Sequence, residues 1–86
     1  MTTTMTTILK FELPSCRDCK ELAKLVDRLT SKHLDIRVET HNLMLSLEAR
    51  QRRVQVVPTV IVLKDGLEFA RIERLPTMEE LEAICT

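Results

Sequence analysis

Tryptophan and tyrosine are absent from this chain of 86 residues, and phenylalanine occurs only twice. An excess of charge is missing too, since 13 Lys and Arg balance 13 Asp and Glu. A neutral chain with so few rings lacks the basic surface and stacking platforms of a nucleic-acid binder. One Gly and three Pro are too few for a linker-like or low-complexity chain. The longest apolar strings, such as Val60 to Leu63, are strand-sized and far short of the ~18 residues that span a bilayer. The start, Met1 to Thr7, has neither the charged opening nor the apolar stretch of a secretory signal. A soluble, cytoplasmic protein with no membrane partner and no nucleic-acid partner is therefore expected.

What is present supports one modest core. Hydrophobic residues make up 44% of the chain, and two independent cores would need more chain than this. A single domain over residues 1–86 is expected, with 1–6 flexible. The three cysteines are an odd number. That fits a disulfide framework poorly and a reactive pair plus one bystander better.

Along the chain, Thr7 to Leu13 reads as a buried strand that Pro14-Ser15 ends. Leu22, Leu25, Val26 and Leu29 form the i, i+3, i+4, i+7 stripe of an amphipathic helix over Lys20 to Thr30. Leu34 to Glu39 alternates, with Leu34, Ile36 and Val38 on one side, which predicts a second strand. Asn42 is placed to cap a helix from Leu43 to about Arg53. Val56 to Leu63 reads as a strand opened by Pro58. Lys64-Asp65-Gly66 predicts a hairpin turn, with Leu67 to Ile72 returning as the partner strand. Thr77 and Glu80 have the spacing of a capping box, and Met78, Leu81 and Ile84 line one face of a closing helix. The order β-α-β-α-β-β-α makes this an α/β chain, with a parallel first pair joined by a right-handed crossover and a final antiparallel hairpin.

The strongest local signal is Cys16-Arg17-Asp18-Cys19, where the first strand hands over to the first helix. Two intervening residues on a helical turn bring the sulfurs within bonding reach. The N–H groups at a helix start are unsatisfied and carry partial positive charge, so they favour a thiolate on the exposed Cys16. Cys16 would attack a disulfide and Cys19, one turn in, would resolve the mixed disulfide. Arg17 would assist the thiolate and Asp18 oppose it, so both are modulating candidates. Two other readings stand beside this one. The pair could be buried and inert, or half of a zinc site, although the remaining candidates His33, His41 and Cys85 are not paired at ligand spacing.

With that motif in place, the chain resembles the thioredoxin and glutaredoxin superfamily from Ile8 to Ile84. Four features carry the resemblance. They are Phe11-Glu12-Leu13-Pro14-Ser15-Cys16-Arg17-Asp18-Cys19 after a strand, Val57-Pro58-Thr59 some forty residues later, the stretch from Val60 to Lys64-Asp65-Gly66, and Leu75-Pro76-Thr77 opening the last helix. The resemblance implies a minimal thioredoxin fold, a four-stranded mixed sheet flanked by three helices. It implies that Pro58 is cis against the cysteine pair, although sequence alone favours trans. It also implies that Val57 offers its backbone to an extended substrate and that Thr59 shapes the same groove.

The chain also departs from the family pattern. Ser15 stands where thioredoxins carry Trp before the first cysteine, and Arg17-Asp18 replaces Gly-Pro. Glutaredoxins carry Cys-Pro-Tyr-Cys and a later Gly-Gly, where this chain has Arg71-Ile72-Glu73-Arg74. Lys10 aligns with the buried Asp of thioredoxins, and Glu12 is either a substitute proton acceptor or a solvated strand-end residue.

The expected function is dithiol–disulfide oxidoreductase, an enzyme reducing protein disulfides through Cys16 and Cys19. The substrate site is Val57, Pro58 and Thr59, with no metal and no organic cofactor. Electrons would come from a flavin-dependent reductase or from glutathione. The resemblance adds ribonucleotide reductase as a partner, and a monomer is expected. Two alternatives remain: a glutaredoxin-like glutathione-dependent reductase, and a redox-inactive binding module on the same fold. Elsewhere, Cys85 is expected to be a small hydrophobe on the last helix. Arg50, Arg52 and Arg53 are read as a solvated helix end, His33 and His41 as solvated loop residues, and Met44 and Met78 as core filler.

Overall fold

The computed structural model of the chain describes residues 4–86. Strand β1 (Thr6–Glu12) is flanked by a strand on each side. It pairs in parallel with β2 (Arg37–Asn42) and antiparallel with β3 (Thr59–Lys64). Strand β4 (Leu67–Ile72) closes the other edge antiparallel to β3, so the sheet order is β2-β1-β3-β4. Helices α1 (Arg17–Lys32), α2 (Leu47–Gln51) and α3 (Met78–Cys85) complete the expected β-α-β-α-β-β-α order.

Strand alternation sends the apolar residues of β1 to both faces. Ile8 packs with Leu22, Val26 and Leu29 of α1, with Leu81 and Cys85 of α3, and with Val60 and Val62. Leu9 and Phe11 point the other way and pack with Ala49, Val54 and Ile61. Helices α1 and α3 thus cover one face and α2 the other. Each of the Val, Leu, Ile and Phe side chains among these contributes about 1.5–3 kcal/mol by leaving water. The packing fixes the central strand from both sides.

The local signals at the ends of elements decide several boundaries. Asp65 and Gly66 take φ of 54° and 84°, the two positive values that a type I′ hairpin needs. Thr77 accepts from the Glu80 N–H while Glu80 reaches back to the Thr77 N–H, a complete capping box. Helix α1 runs longer than its apolar stripe, from Arg17 to Lys32, and its N-cap is Cys16.

Three expectations are corrected. The second strand lies at Arg37–Asn42 instead of Leu34 to Glu39, because α1 continues to Lys32 and residues 33–36 form a turn, with the Ile36 N–H on the His33 carbonyl. As an edge strand, β2 gains little from alternation, and Leu34 is 87% exposed. Second, Asn42 does not cap α2. Its side chain accepts from the Met44 N–H at 2.8 Å and its carbonyl accepts from Leu45 and Ser46, an Asx-type turn. Ser46 takes the cap instead, and Met44 is exposed rather than core. Third, Val56 and Val57 precede β3 and are not part of it. Of the start expected to be flexible over 1–6, residues 1–3 lie outside the described residues, Met5 exchanges bonds with Asp65, and Thr6 is buried in β1.

The end of α2 carries a conformation that its residue does not favour. The Val54 N–H bonds the Ala49 carbonyl and the Arg53 N–H bonds the Arg50 carbonyl, the paired closure of a Schellman motif. The residue at the left-handed position is Arg53, at φ 56°, where glycine is the usual choice. The Arg53 side chain is exposed and makes no hydrogen bond or ion pair among the described residues. Arg53→Gly is therefore expected to raise stability by ~0.5–1 kcal/mol. Urea unfolding midpoints would check this, and an unchanged or lowered midpoint would contradict it.

Candidate active site

Cys16 is positioned by the exit of β1. After Glu12 the chain makes a tight turn, with the Cys16 N–H on the Leu13 carbonyl at 3.1 Å. Cys16 then takes the N-cap of α1 with extended φ and ψ of −84° and 112°. Its Sγ accepts the Cys19 N–H at 3.1 Å, the place a Ser or Asp oxygen occupies in most caps. Cys16 and Cys19 are disulfide-bonded, with Cα atoms 5.2 Å apart. Cys16 is half-buried and Cys19 is 2% exposed. The pair therefore has an outer sulfur that a reactant can approach and an inner one that it cannot. Arg17 and Asp18 are both exposed beside them.

Strand register brings the second half of the site to the same end of the sheet. Phe11 pairs Thr59, so Pro58 lies beside the end of β1 from which the cysteine turn departs. The Val57–Pro58 peptide is cis. Pro58 and Thr59 are buried and Val57 is half-buried. The Thr59 hydroxyl donates to the Val56 carbonyl at 2.7 Å. The backbone N–H and carbonyl of Val57 have no partner among the described residues. Unpaired backbone groups are costly where water cannot reach them, and here they sit on a partly open surface that an extended chain could pair with.

Two further segments end here. Ile72 pairs Val60, which places residues 73–76 at this end. Glu12 pairs Asn42, which places the 43–45 turn here as well. In the first segment, Arg74 forms an ion pair with both carboxylate oxygens of Glu80, and this partner together with the Thr77 N–H holds Glu80 down to about 2. The Arg74 charge is thereby committed to the cap of α3. Lys10 and Glu12 are half-buried and share the Ile8 face of β1 by alternation.

The remaining candidates lie elsewhere or play other parts. Cys85 is buried at the far end of the core, and burial pushes its thiol up to about 11, with Lys64 opposing slightly. A cavity of about 380 Å³ beside it, lined by His33, Asp35, Ile36 and Lys64 among others, sits at the opposite end of the sheet from the cysteine pair. His33 approaches Glu82 at 3.5 Å. His41 belongs to β2 and not to a loop: its ring stacks on Phe11 at 5.3 Å, and its Nδ1 lies 3.0 Å from the Ser46 hydroxyl. Arg52 is also not simply solvated, because it pairs with Glu48 and Glu68. Among the described residues, no group of three His, Cys, Asp or Glu is placed to hold a metal, and no helix is long and apolar enough to cross a membrane.

Sequence reasoning missed one set of residues near the site. Arg71 of β4 donates to Glu68 and to the Arg52 carbonyl at 2.9 Å, where the loop to Pro58 begins. Nothing in the order of β4 residues marks Arg71 as more than a strand position.

The architecture is that of the thioredoxin fold, with the cysteine pair at Cys-x-x-Cys spacing in a thioredoxin-like chain. Thioredoxin-2 of the malaria parasite, described as a component of its protein secretion machinery, superposes with a TM-score of 0.86 at 23% identity, covering 98% of this chain and 84% of that one. Thioredoxin 1 from the thermophilic eubacterium Thermosipho africanus gives 0.79 at 26% identity, covering 91% and 88%. Oxidized mitochondrial thioredoxin 3 from Saccharomyces cerevisiae gives 0.83 at 22% identity, covering 94% and 76%. No family model matches the sequence, and no curated protein matches it. The fold and the paired sulfurs together support thiol–disulfide oxidoreductase chemistry.

The three thiols should separate by reactivity. In reduced protein at neutral pH, iodoacetamide is expected to alkylate Cys16 first, with Cys85 reacting only after unfolding. Peptide mass mapping over time would show it, and early labelling of Cys85 would contradict the site described.

Proposed function

We propose that this protein reduces protein disulfides through Cys16 and Cys19. The observation that carries the reading is the Cys16 sulfur at the N-cap of α1, accepting a backbone N–H, with Cys19 buried behind it. A helix start lowers the cost of a thiolate, because its free N–H groups and dipole face the sulfur.

The steps balance without any resident cofactor. The Cys16 thiolate attacks one sulfur of the substrate disulfide, forming a mixed disulfide and releasing the other sulfur as a thiolate. Cys19 loses its proton and attacks the Cys16 sulfur. This closes the Cys16–Cys19 disulfide and releases the second substrate thiolate. Two electrons pass to the substrate, and two protons complete its thiols. The open backbone of Val57 and the buried Pro58 and Thr59 form the surface on which an extended polypeptide would lie. A flavin-dependent reductase or glutathione returns the two electrons. Lack of Gly at residues 71–74 favours the former, since glutaredoxins use a Gly-Gly near that position.

Insulin reduction by dithiothreitol tests this directly. Wild type is expected to accelerate it, and Cys16→Ser to fall to the uncatalysed rate. Cys19→Ser is expected to accumulate a covalent mixed disulfide with the substrate, visible by mass. Equal behaviour of all three proteins would overturn the reading in favour of a binding module. Faster turnover of a glutathione mixed disulfide than of insulin would favour the glutaredoxin-like alternative.

A further inference from the structure

The loop that carries Val57 and Pro58 is held at its two ends by different means. At the far end, the Thr59 hydroxyl fixes the Val56 carbonyl. At the near end, the Arg52 carbonyl leaves the last turn of α2 and accepts from Arg71 Nη2 at 2.9 Å. Carbonyls at a helix end are orphaned and carry partial negative charge, so a guanidinium is a favourable partner. This one comes from another element, 19 residues away.

Arg71 is itself held in place. It donates to both carboxylate oxygens of Glu68, at 3.1 and 2.9 Å. This bidentate pairing fixes the plane of the guanidinium. It also lowers the Glu68 carboxyl below its ordinary range and raises Arg71. Arg52 extends the set, pairing with Glu48 on α2 and lying 3.8 Å from Glu68. Arg71 pairs Ile61 across the sheet, and Ile61 packs on the α2 side, so this cluster joins α2 to the outer strand. Between its two anchors the loop makes few bonds of its own. Val54 is fixed by burial and by the Ala49 carbonyl, while residues 55 and 57 make no backbone bond among the described residues.

We propose that Arg71 is a positioning residue that sets the 53–58 loop, and with it the affinity of the site for a polypeptide disulfide. This rests on the oxidoreductase reading above. The cysteines stand on α1, on the other face of the sheet, so their own reactivity does not depend on Arg71. A small disulfide needs only the half-buried Cys16 sulfur, the outer of the pair. A polypeptide needs the Val57 backbone in register as well.

The test compares wild type, Arg71→Met, Arg71→Lys and Glu68→Gln on two substrates, insulin and the small aromatic disulfide 5,5′-dithiobis(2-nitrobenzoate). Arg71→Met keeps an unbranched apolar stem, shorter than the arginine by the guanidinium end, and loses every donor. It is expected to raise KM for insulin about tenfold while the rate with the small disulfide and kcat for insulin stay within about twofold. Arg71→Lys, which cannot hold the carboxylate and the carbonyl together in one plane, should fall between. Glu68→Gln leaves Arg71 in place without its fixed partner and provides the reading if Arg71→Met does not fold. An unchanged insulin KM in a folded variant would overturn the proposal. So would equal loss on both substrates. A wild type that reduces neither disulfide would refute the oxidoreductase reading itself, and the proposal with it.

Discussion

One hydrogen bond, from the Cys19 N–H to the Cys16 sulfur, joins the fold to its chemistry. A helix must satisfy its first N–H groups, and the usual caps are oxygen-bearing side chains. Here a sulfur takes that place, so the group that ends the turn is also the group proposed to react. The arrangement depends on β1. That strand is paired on both edges and packed on both faces, so its end is among the most restrained points in the molecule. Only residues 13–15 separate that end from Cys16. A sulfur held this close to a rigid element is preorganised.

Sheet direction then assembles the rest. Strand β2 runs parallel to β1, while β3 runs antiparallel to β1 and pairs antiparallel with β4. The cysteine turn, the Pro58 loop, the 43–45 turn and residues 73–76 consequently meet at one end, although they are far apart in sequence. The two halves of the site have separate supports. The sulfurs are carried by α1 on one face. The loop beside them follows α2 on the other face, where Glu48, Arg52, Glu68 and Arg71 meet. Those four side chains are between 23% and 37% exposed. Pairs as wet as this contribute little to global stability, which suits a role in local geometry.

The legible parts of the molecule were those whose signals are local. The Cys-x-x-Cys spacing, the Asp65-Gly66 turn and the Thr77–Glu80 box each specify their geometry within a few residues. The apolar stripe of α1 locates the helix but not its ends, because Cys16 and Lys32 lie beyond the stripe. Helix α2 was misplaced by competition. Leu43, Met44 and Leu45 look like a helix front, but Asn42 spends its side chain on its own turn and leaves the cap to Ser46. Strand β2 was shifted because an edge strand is only weakly selected for alternation. His41 looked like a loop residue because its partner, the Phe11 ring, comes from the neighbouring strand. The Arg71 cluster was invisible for the same reason, since its acceptors converge only when β4 lies beside α2.

The central claim is that the start of α1 stabilises a thiolate on Cys16. A titration of reduced protein, following thiolate absorbance in the ultraviolet with Cys16→Ser as the blank, tests it most directly. The account requires a Cys16 transition well below the ~8.5 of a free cysteine. A transition at the free-thiol value would mean that the cap hydrogen bond does not activate the sulfur, and the oxidoreductase reading would lose its physical basis.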